Sequence, residues 1–322
     1  MDFEFVTPAN NIFPIEPSSV SKNVYDENLL EFISTLKDQN TLRKKECIAE
    51  GALPFQSTPT RVVEIVFSIC ALFELPKEVK FLAIDIFDRF VINHTTDVWQ
   101  YSCESSADLS SQRKYWRRVA ERSQKQALLR VLSSIQIASK FVLQSAALSP
   151  KHIEEYLSKW GHAFNLRSIC RSETRLFSTL GCKVPIYSIF DYITVLLEAL
   201  EKWMDETSEL FLVCDQVLEY MYLQRDEIYK RFFWMATNRW EHSREERMKF
   251  ADAELDRFLM ASSIIVSSIY ILNLKCIGPN KASEILSELA NVSSNDIRGL
   301  SIITSQLILG SGTRTVSFRS FD

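Results

Sequence analysis

The sequence predicts an all-α protein: a short N-terminal helix followed by two tandem repeats of about five helices each. Three observations carry this. Glycine occurs only 7 times in 322 residues, too seldom for glycine-rich phosphate loops or the many turns of a β-sandwich. Hydrophobic residues make up 46% of the chain and recur at helical rather than alternating spacing. Two stretches, Leu128–Val142 (LLRVLSSIQIASKFV) and Leu255–Leu274 (LDRFLMASSIIVSSIYILNL), are apolar on nearly every face and rich in small residues. Such helices belong in the middle of a domain, and each is the third helix of its set, a weak internal duplication.

In order, residues 1–57 read as a polar, proline-containing arm (Pro8, Pro14, Pro17), a short amphipathic helix over 26–36 with Leu29, Leu30, Phe32 and Ile33 inward, and irregular chain over 38–57. The first repeat spans 58–181. Thr58 suits a helix N-cap and Pro59 the first helical position; the helix that follows carries Val62, Val63, Val66, Ile69, Cys70 and Phe73. The next runs to Ile92 with Leu82, Ala83, Ile86, Phe87 and Phe90 inward. A polar insertion at about 93–112 reads as a loop or a disordered insertion. A basic run, Arg113 to Arg130, leads into the buried third helix, which ends in the single charge of Lys140. Ser149-Pro150 opens a fourth helix and Leu166–Leu180 forms a fifth, with Gly181 as a natural residue just past its end. The second repeat covers 182–310, with helices over 186–200, 207–229, 255–274, 281–290 and 294–309 and a charged loop at 236–254. Residues 311–322 read as a flexible tail.

Composition excludes several functions. Net charge is −4, so the molecule as a whole does not attract nucleic acid. Its seven cysteines include no pair at zinc-ligand spacing. The four histidines, His94, His152, His162 and His242, do not stand at metal-ligand spacing, and no Gly-x-Ser-x-Gly, HExxH or phosphate loop is present. Neither enzyme activity nor a cofactor is expected. No signal peptide and no membrane-spanning run are read, and unpaired cysteines suit a reducing compartment.

Two helical units with a buried third helix resemble a tandem cyclin fold. LAIDIFDRFV (82–91) looks like the second cyclin-box helix and IQIASKF (135–141) the third. RSETRLFSTLGCKVPIYSIFDYI (171–193) looks like the fifth helix, the linker and the entry to the second repeat. Within cyclins, MDFEFVTPA, ENLLEFI, RVVEIVFSICALFELPKEVKFLAIDIFDRFV and LRVLSSIQIASK are similar to the cyclin N-terminal domain-containing protein 1 family. The resemblance implies a tandem cyclin-like fold and a regulatory subunit of a cyclin-dependent kinase. It also implies a role with meiotic recombination proteins in crossover formation and the maturation of recombination intermediates, in the nucleus on meiotic chromosomes. The alternative is a scaffold recruiting recombination proteins without a kinase.

In cyclins a lysine ending the third helix and a glutamate in the fifth contact the kinase near its αC helix. The matching residues are Lys140 and Glu173, with Phe141 beside them. Without the resemblance, Lys140 reads as a snorkelling lysine at a helix C-terminus and Glu173 as a surface partner of Arg167, Arg171 or Arg175. Two departures stand out: Lys140 is followed by Phe141-Val142-Leu143 rather than by an aromatic and acidic residues, and the substrate-docking motif of many cyclins is replaced by TPTRV (58–62).

Other signals are weaker. Thr58-Pro59-Thr60-Arg61 is a proline-directed kinase consensus, making Thr58 a candidate phosphosite, although the capping reading is stronger. Arg113, Lys114, Arg117 and Arg118, with Tyr115 and Trp116, form a possible partner or nucleic-acid surface. The acidic net charge, and the lack of the zinc ribbon that accompanies DNA-binding cyclin-like repeats in transcription factor IIB, favour a solvated face or a protein partner over nucleic acid. A third reading, the mixed-charge stretch Arg225–Arg247 with Trp234 and Trp240, is an interaction surface or a charged loop.

Overall fold

Residues 77–149 contain neither glycine nor proline, and the fold uses most of this span for two long helices. The computed structural model describes residues 25–49, 59–105, 108–143, 146–184, 187–204, 208–240 and 243–310. Among them every regular element is helical, and the chain forms two compact units, residues 54–188 and residues 1–53 with 189–322.

Among its described residues the unit of residues 54–188 holds five helices: α2 (Thr60–Leu72), α3 (Lys77–Ser105), α4 (Leu109–Leu143), α5 (Pro150–Lys159) and α6 (Leu166–Thr179). The second half of α4, buried from Leu129 to Ser139, packs against α2, α3 and α6. That surround is why it is apolar on every face. Buried in the same unit are Val66 and Ile69 of α2, Ile86 and Phe90 of α3, and Leu176 of α6, with Ile153 and Leu157 of α5, which packs against α6. Pro59 sits at the N-cap of α2, one position earlier than the sequence suggests, and no side chain caps that end. Thr58 lies outside the described residues. Ser149 caps α5 as expected, its Oγ accepting from the His152 N–H, with Pro150 in the first turn. Gly181, just past the end of α6, takes the left-handed conformation (φ +62°), which favours glycine.

The insertion expected as loop at about 93–112 is largely helical: α3 continues to Ser105 and α4 begins at Leu109. With no glycine or proline to stop either helix, their extensions are held by side chains of one against the other. Trp99 meets Trp116 edge-on at 5.9 Å, and Tyr101 meets Tyr115 at 5.7 Å. Asp108 opens α4 by accepting from the Ser110 and Ser111 N–H groups at 3.2 and 3.0 Å.

The other unit is built around α11 (Arg257–Leu272), buried from Arg257 to Ile269. It packs against α7 (Ile189–Leu200), α8 (Ser208–Leu223), α12 (Pro279–Ala290) and α13 (Ser294–Gly310). Its crossing with α13 is lined by serines. Ser267 Oγ donates to the Ser301 carbonyl at 3.2 Å and Ser301 Oγ to the Ser263 carbonyl at 3.1 Å, so small side chains permit close approach and satisfy their own hydroxyls. The sequence reading missed two helices here. The expected helix over 207–229 breaks after Leu223, and α9 (Arg225–Thr237) follows; most of the expected loop at 236–254 is α10 (Arg244–Leu255). Ser243 and Glu246 form a capping box that starts α10, a signal hidden by the charge around it. Gly299 of α13 faces α9, where a Cβ would meet Met235 and Phe232.

The N-terminal helix α1 (Glu27–Ala49) is twice the expected length and belongs to this unit. The expected boundaries at 57 and 182 set it apart from both repeats; the structure groups it with residues 189–322. Leu29, Ile33 and Leu36 are buried, and the polar half that read as irregular supplies docking contacts. Asn40 donates to Asp256 and accepts from the Arg257 N–H, both at 3.1 Å. Arg43 donates to the Leu255 carbonyl at 2.9 Å, and Lys44 pairs with Asp256 and Asp252 at 2.9 and 3.1 Å.

Asp296, in the first turn of α13, is half-buried; burial and the nearby Asp256 charge push its pKa up to about 6. The folded state therefore holds this proton more tightly than the unfolded chain. Its favourable contribution is present at acid pH and is lost as pH rises through about 4 to 6. Asp296→Asn should stabilise the protein by about 1–2 kcal/mol at pH 7.5, after discounting for partial exposure, and by almost nothing at pH 4. Urea denaturation at the two pH values reads the difference.

Candidate functional site

The site forms where the end of α4 meets α6. Asn165 starts α6 by accepting from the Ser168 N–H at 2.9 Å. Ser172, one residue before Glu173, is buried against Ser133 of α4, their hydroxyls 2.7 Å apart. The smallness of both lets the helices cross closely. Arg130 locks the crossing by donating to the Ser172 hydroxyl and carbonyl at 2.8 and 3.1 Å while its guanidinium lies over Phe90 at 5.6 Å. Burial, reinforced by the like charge of Arg175, pulls the Arg130 pKa down to about 10; it remains a cation at neutral pH. His94 stacks on Phe90 at 5.4 Å, and burial, then Arg175 and Arg130, hold its pKa below the ordinary value. It is therefore neutral at physiological pH and part of the packing.

Two turns along α4 from Ser133, Lys140 pairs with Glu173. Of the readings open for Glu173, pairing within α6 is thus replaced by a pair between helices. Lys140 is 45% exposed and Glu173 19%, so the pair is worth about 0–1 kcal/mol: it orients more than it stabilises. Beside it is a cavity of about 360 Å³ lined by Ile137, Lys140, Phe141, Glu173, Thr174 and Phe177. Phe141 is 57% exposed, a large apolar side chain at the rim of a charged pair. A cation and a carboxylate at the edge of an apolar depression can orient a partner while apolar contact supplies affinity.

The structure thus brings together the predicted Lys140, Glu173 and Phe141. It adds Thr174, which the sequence reading missed, and Phe177, which was read as core and is half-buried in the cavity wall. Helical spacing held the signal, since Glu173 and Phe177, like Ile137 and Phe141, are four residues apart. Arg113, Lys114, Arg117 and Arg118 are exposed and lie some 22 or more residues earlier on α4, about 33 Å or more by helical rise; they do not join this site. Among the described residues no cluster of His, Cys, Asp or Glu is arranged to hold a metal ion, and no helix is long and apolar enough to cross a membrane.

An all-α chain with one buried helix at the centre of each unit, the third of the first unit (α4) but not of the second (α11, which α7 to α10 precede), and a lysine–glutamate pair at the edge of the first is cyclin-like. The chain is 25% identical over 219 residues to cyclin N-terminal domain-containing protein 1 of Mus musculus, a match covering 67% of this chain and 66% of the mouse protein. It is 24% identical over 255 residues to the Homo sapiens protein of the same name, covering 79% and 76%. The match to the mouse protein thus spans just under two thirds of that protein's length. No family model matches the chain. The chain is thus similar to cyclin N-terminal domain-containing protein 1 of both organisms.

Proposed function

We propose that this chain is a non-catalytic, cyclin-like regulatory subunit. It binds a cyclin-dependent kinase through the end of α4 and α6, and it promotes meiotic crossover formation and the maturation of recombination intermediates with meiotic recombination proteins, in the nucleus on meiotic chromosomes. The observation that carries the kinase reading is the Lys140–Glu173 pair set against the apolar cavity of Ile137, Phe141 and Phe177. On binding, the lysine and glutamate exchange each other for polar groups of the kinase backbone. A subunit that contacts the kinase's movable helix in one of its two positions shifts that equilibrium by its differential affinity. The meiotic role and location rest on the resemblance.

The pair contributes little to folding, so the double variant Lys140→Ala/Glu173→Ala is expected to keep its helical circular dichroism. Pull-down of purified cyclin-dependent kinases should succeed with the native chain and fall at least tenfold with the variant, about 1.4 kcal/mol or more. A second reading, a scaffold that recruits recombination proteins without a kinase, is favoured by one feature: after Lys140 and the aromatic Phe141, the apolar Val142 and Leu143 stand where cell-cycle cyclins place acidic residues. Absence of kinase binding by the native chain would establish the scaffold instead.

A further inference from the structure

The extensions of α3 and α4 carry a surface that the kinase-docking site does not use. Every buried residue of α4 lies at or beyond Leu129, so residues 109–126 bury nothing in the core and are nonetheless helical. Six cations lie on this stretch, Arg113, Lys114, Arg117, Arg118, Arg122 and Lys125, all exposed. None of them has an ion-pair or hydrogen-bond partner among the described residues, and Glu121 is the single acid among them. Solvated helix faces normally mix the two signs, often as pairs three or four residues apart; six charges to one is not that pattern. The cations fall in rows at intervals of four residues, Arg113–Arg117 and Lys114–Arg118–Arg122, each step about 5–6 Å. Ser110, Arg113, Lys114 and Arg117 line a cleft of about 370 Å³.

Aromatic side chains stand beside these rows. Trp99 and Tyr101 of α3 are each 57% exposed, and their edge and tilted contacts with Trp116 and Tyr115 hold the rings in place while leaving much of their surface to solvent. A protein that needs only solubility does not expose two tryptophans among unpaired arginines. An acidic polypeptide accounts for the cations but not for the rings. A single strand accounts for both, with phosphates on the cation rows and bases stacked on aromatic faces.

We propose that this α3–α4 face binds single-stranded nucleic acid. The site is local: the chain as a whole is acidic, so attraction arises from these six charges and not from a general field.

The test is fluorescence anisotropy of the full chain with a labelled 20-nucleotide mixed-sequence strand, as DNA and as RNA, and with the matching duplex. Both single strands should bind more tightly than the duplex. With about four phosphates neutralised, affinity should fall with a log–log salt slope of about −3, roughly 50-fold between 50 and 200 mM salt. Arg113→Glu/Arg117→Glu/Arg118→Glu, on a stretch that buries nothing, should fold normally and lose at least tenfold; Trp99→Ala should weaken the single strands more than the duplex. Lys114→Glu alone should make the slope shallower by about one unit, which keeps the test open if the triple variant misfolds. No binding at 50 mM salt, or undiminished binding by the folded charge variants, overturns the proposal. So does displacement of the strand by polyglutamate of equal charge, which would make the face a site for acidic polypeptide.

Discussion

Asp256→Ala is expected to destabilise the unit that contains α1 by about 3 kcal/mol. One carboxylate there performs three tasks. It caps α11, accepting from the Phe258 and Leu259 N–H groups at 2.9 and 3.1 Å; loss of such a cap costs about 1 kcal/mol. It accepts from buried Asn40 at 3.1 Å. It also pairs with Lys44, and the two side chains are only 19% and 14% exposed. Burial works against the Lys44 charge, but Asp256, helped by Asp252, more than offsets it, so the pKa of the ammonium lies above its ordinary value. Removing the partner of a largely buried charge leaves that charge uncompensated, at a cost of up to about 3–5 kcal/mol; Asp252, which stays within reach, moderates it. Asp256→Asn keeps a good cap and loses only the charge, so it should cost about half as much. Urea denaturation of the three proteins decides the matter: an alanine variant within about 1 kcal/mol of the native chain would show that α1 is docked by its apolar face alone.

The second large effect is expected at Ser133. Ser133→Ala removes a hydroxyl that donates to the Leu129 carbonyl at 2.8 Å and meets Ser172 at 2.7 Å, but it preserves the close approach of α4 and α6; the cost should be about 1 kcal/mol. Ser133→Leu forces an isobutyl group into the same crossing, where overpacking costs about 1–3 kcal/mol or more on top of the lost hydrogen bonds. The two helices must separate, and Lys140 then no longer reaches Glu173. The leucine variant should therefore lose kinase capture even where it remains folded, while the alanine variant retains it. Capture that is equally strong with both would show that the docking surface does not depend on this crossing.

The sequence revealed most about helices that bury a full apolar circumference. The second half of α4 and all of α11 were legible because no solvent-facing helix has Val131, Ile135 and Ile137, or Met260, Ile264 and Val266, on opposing sides. The Lys140–Glu173 pair was legible only through the resemblance, because helical periodicity on one segment does not say which other segment a charged side chain meets. Polar helices were the ones missed. The latter half of α1 read as irregular because Asn40, Arg43 and Lys44 look like solvent residues, and their partners are more than 200 positions away. The extension of α3 and the first turn of α4, about 93–112, read as loop because pairs such as Trp99 with Trp116 hold them, and such pairs leave no periodic signature in either segment of sequence. In each case the stabilising contact is long-range, and single-segment patterns cannot record it.

The grouping of α1 with residues 189–310 has a consequence during synthesis. The unit of residues 54–188 is contiguous and can fold as soon as it emerges from the ribosome. The other unit cannot: α1 emerges first, but α13 is completed some 260 residues later, a wait of roughly 13–50 s at typical elongation rates of about 5–20 residues per second. Until α7, α10, α11 and α12 have followed it out, Leu29, Ile33 and Leu36 lack the native surface that covers them. A nascent chain of this protein thus presents one apolar stripe to the cell's chaperones for most of its translation.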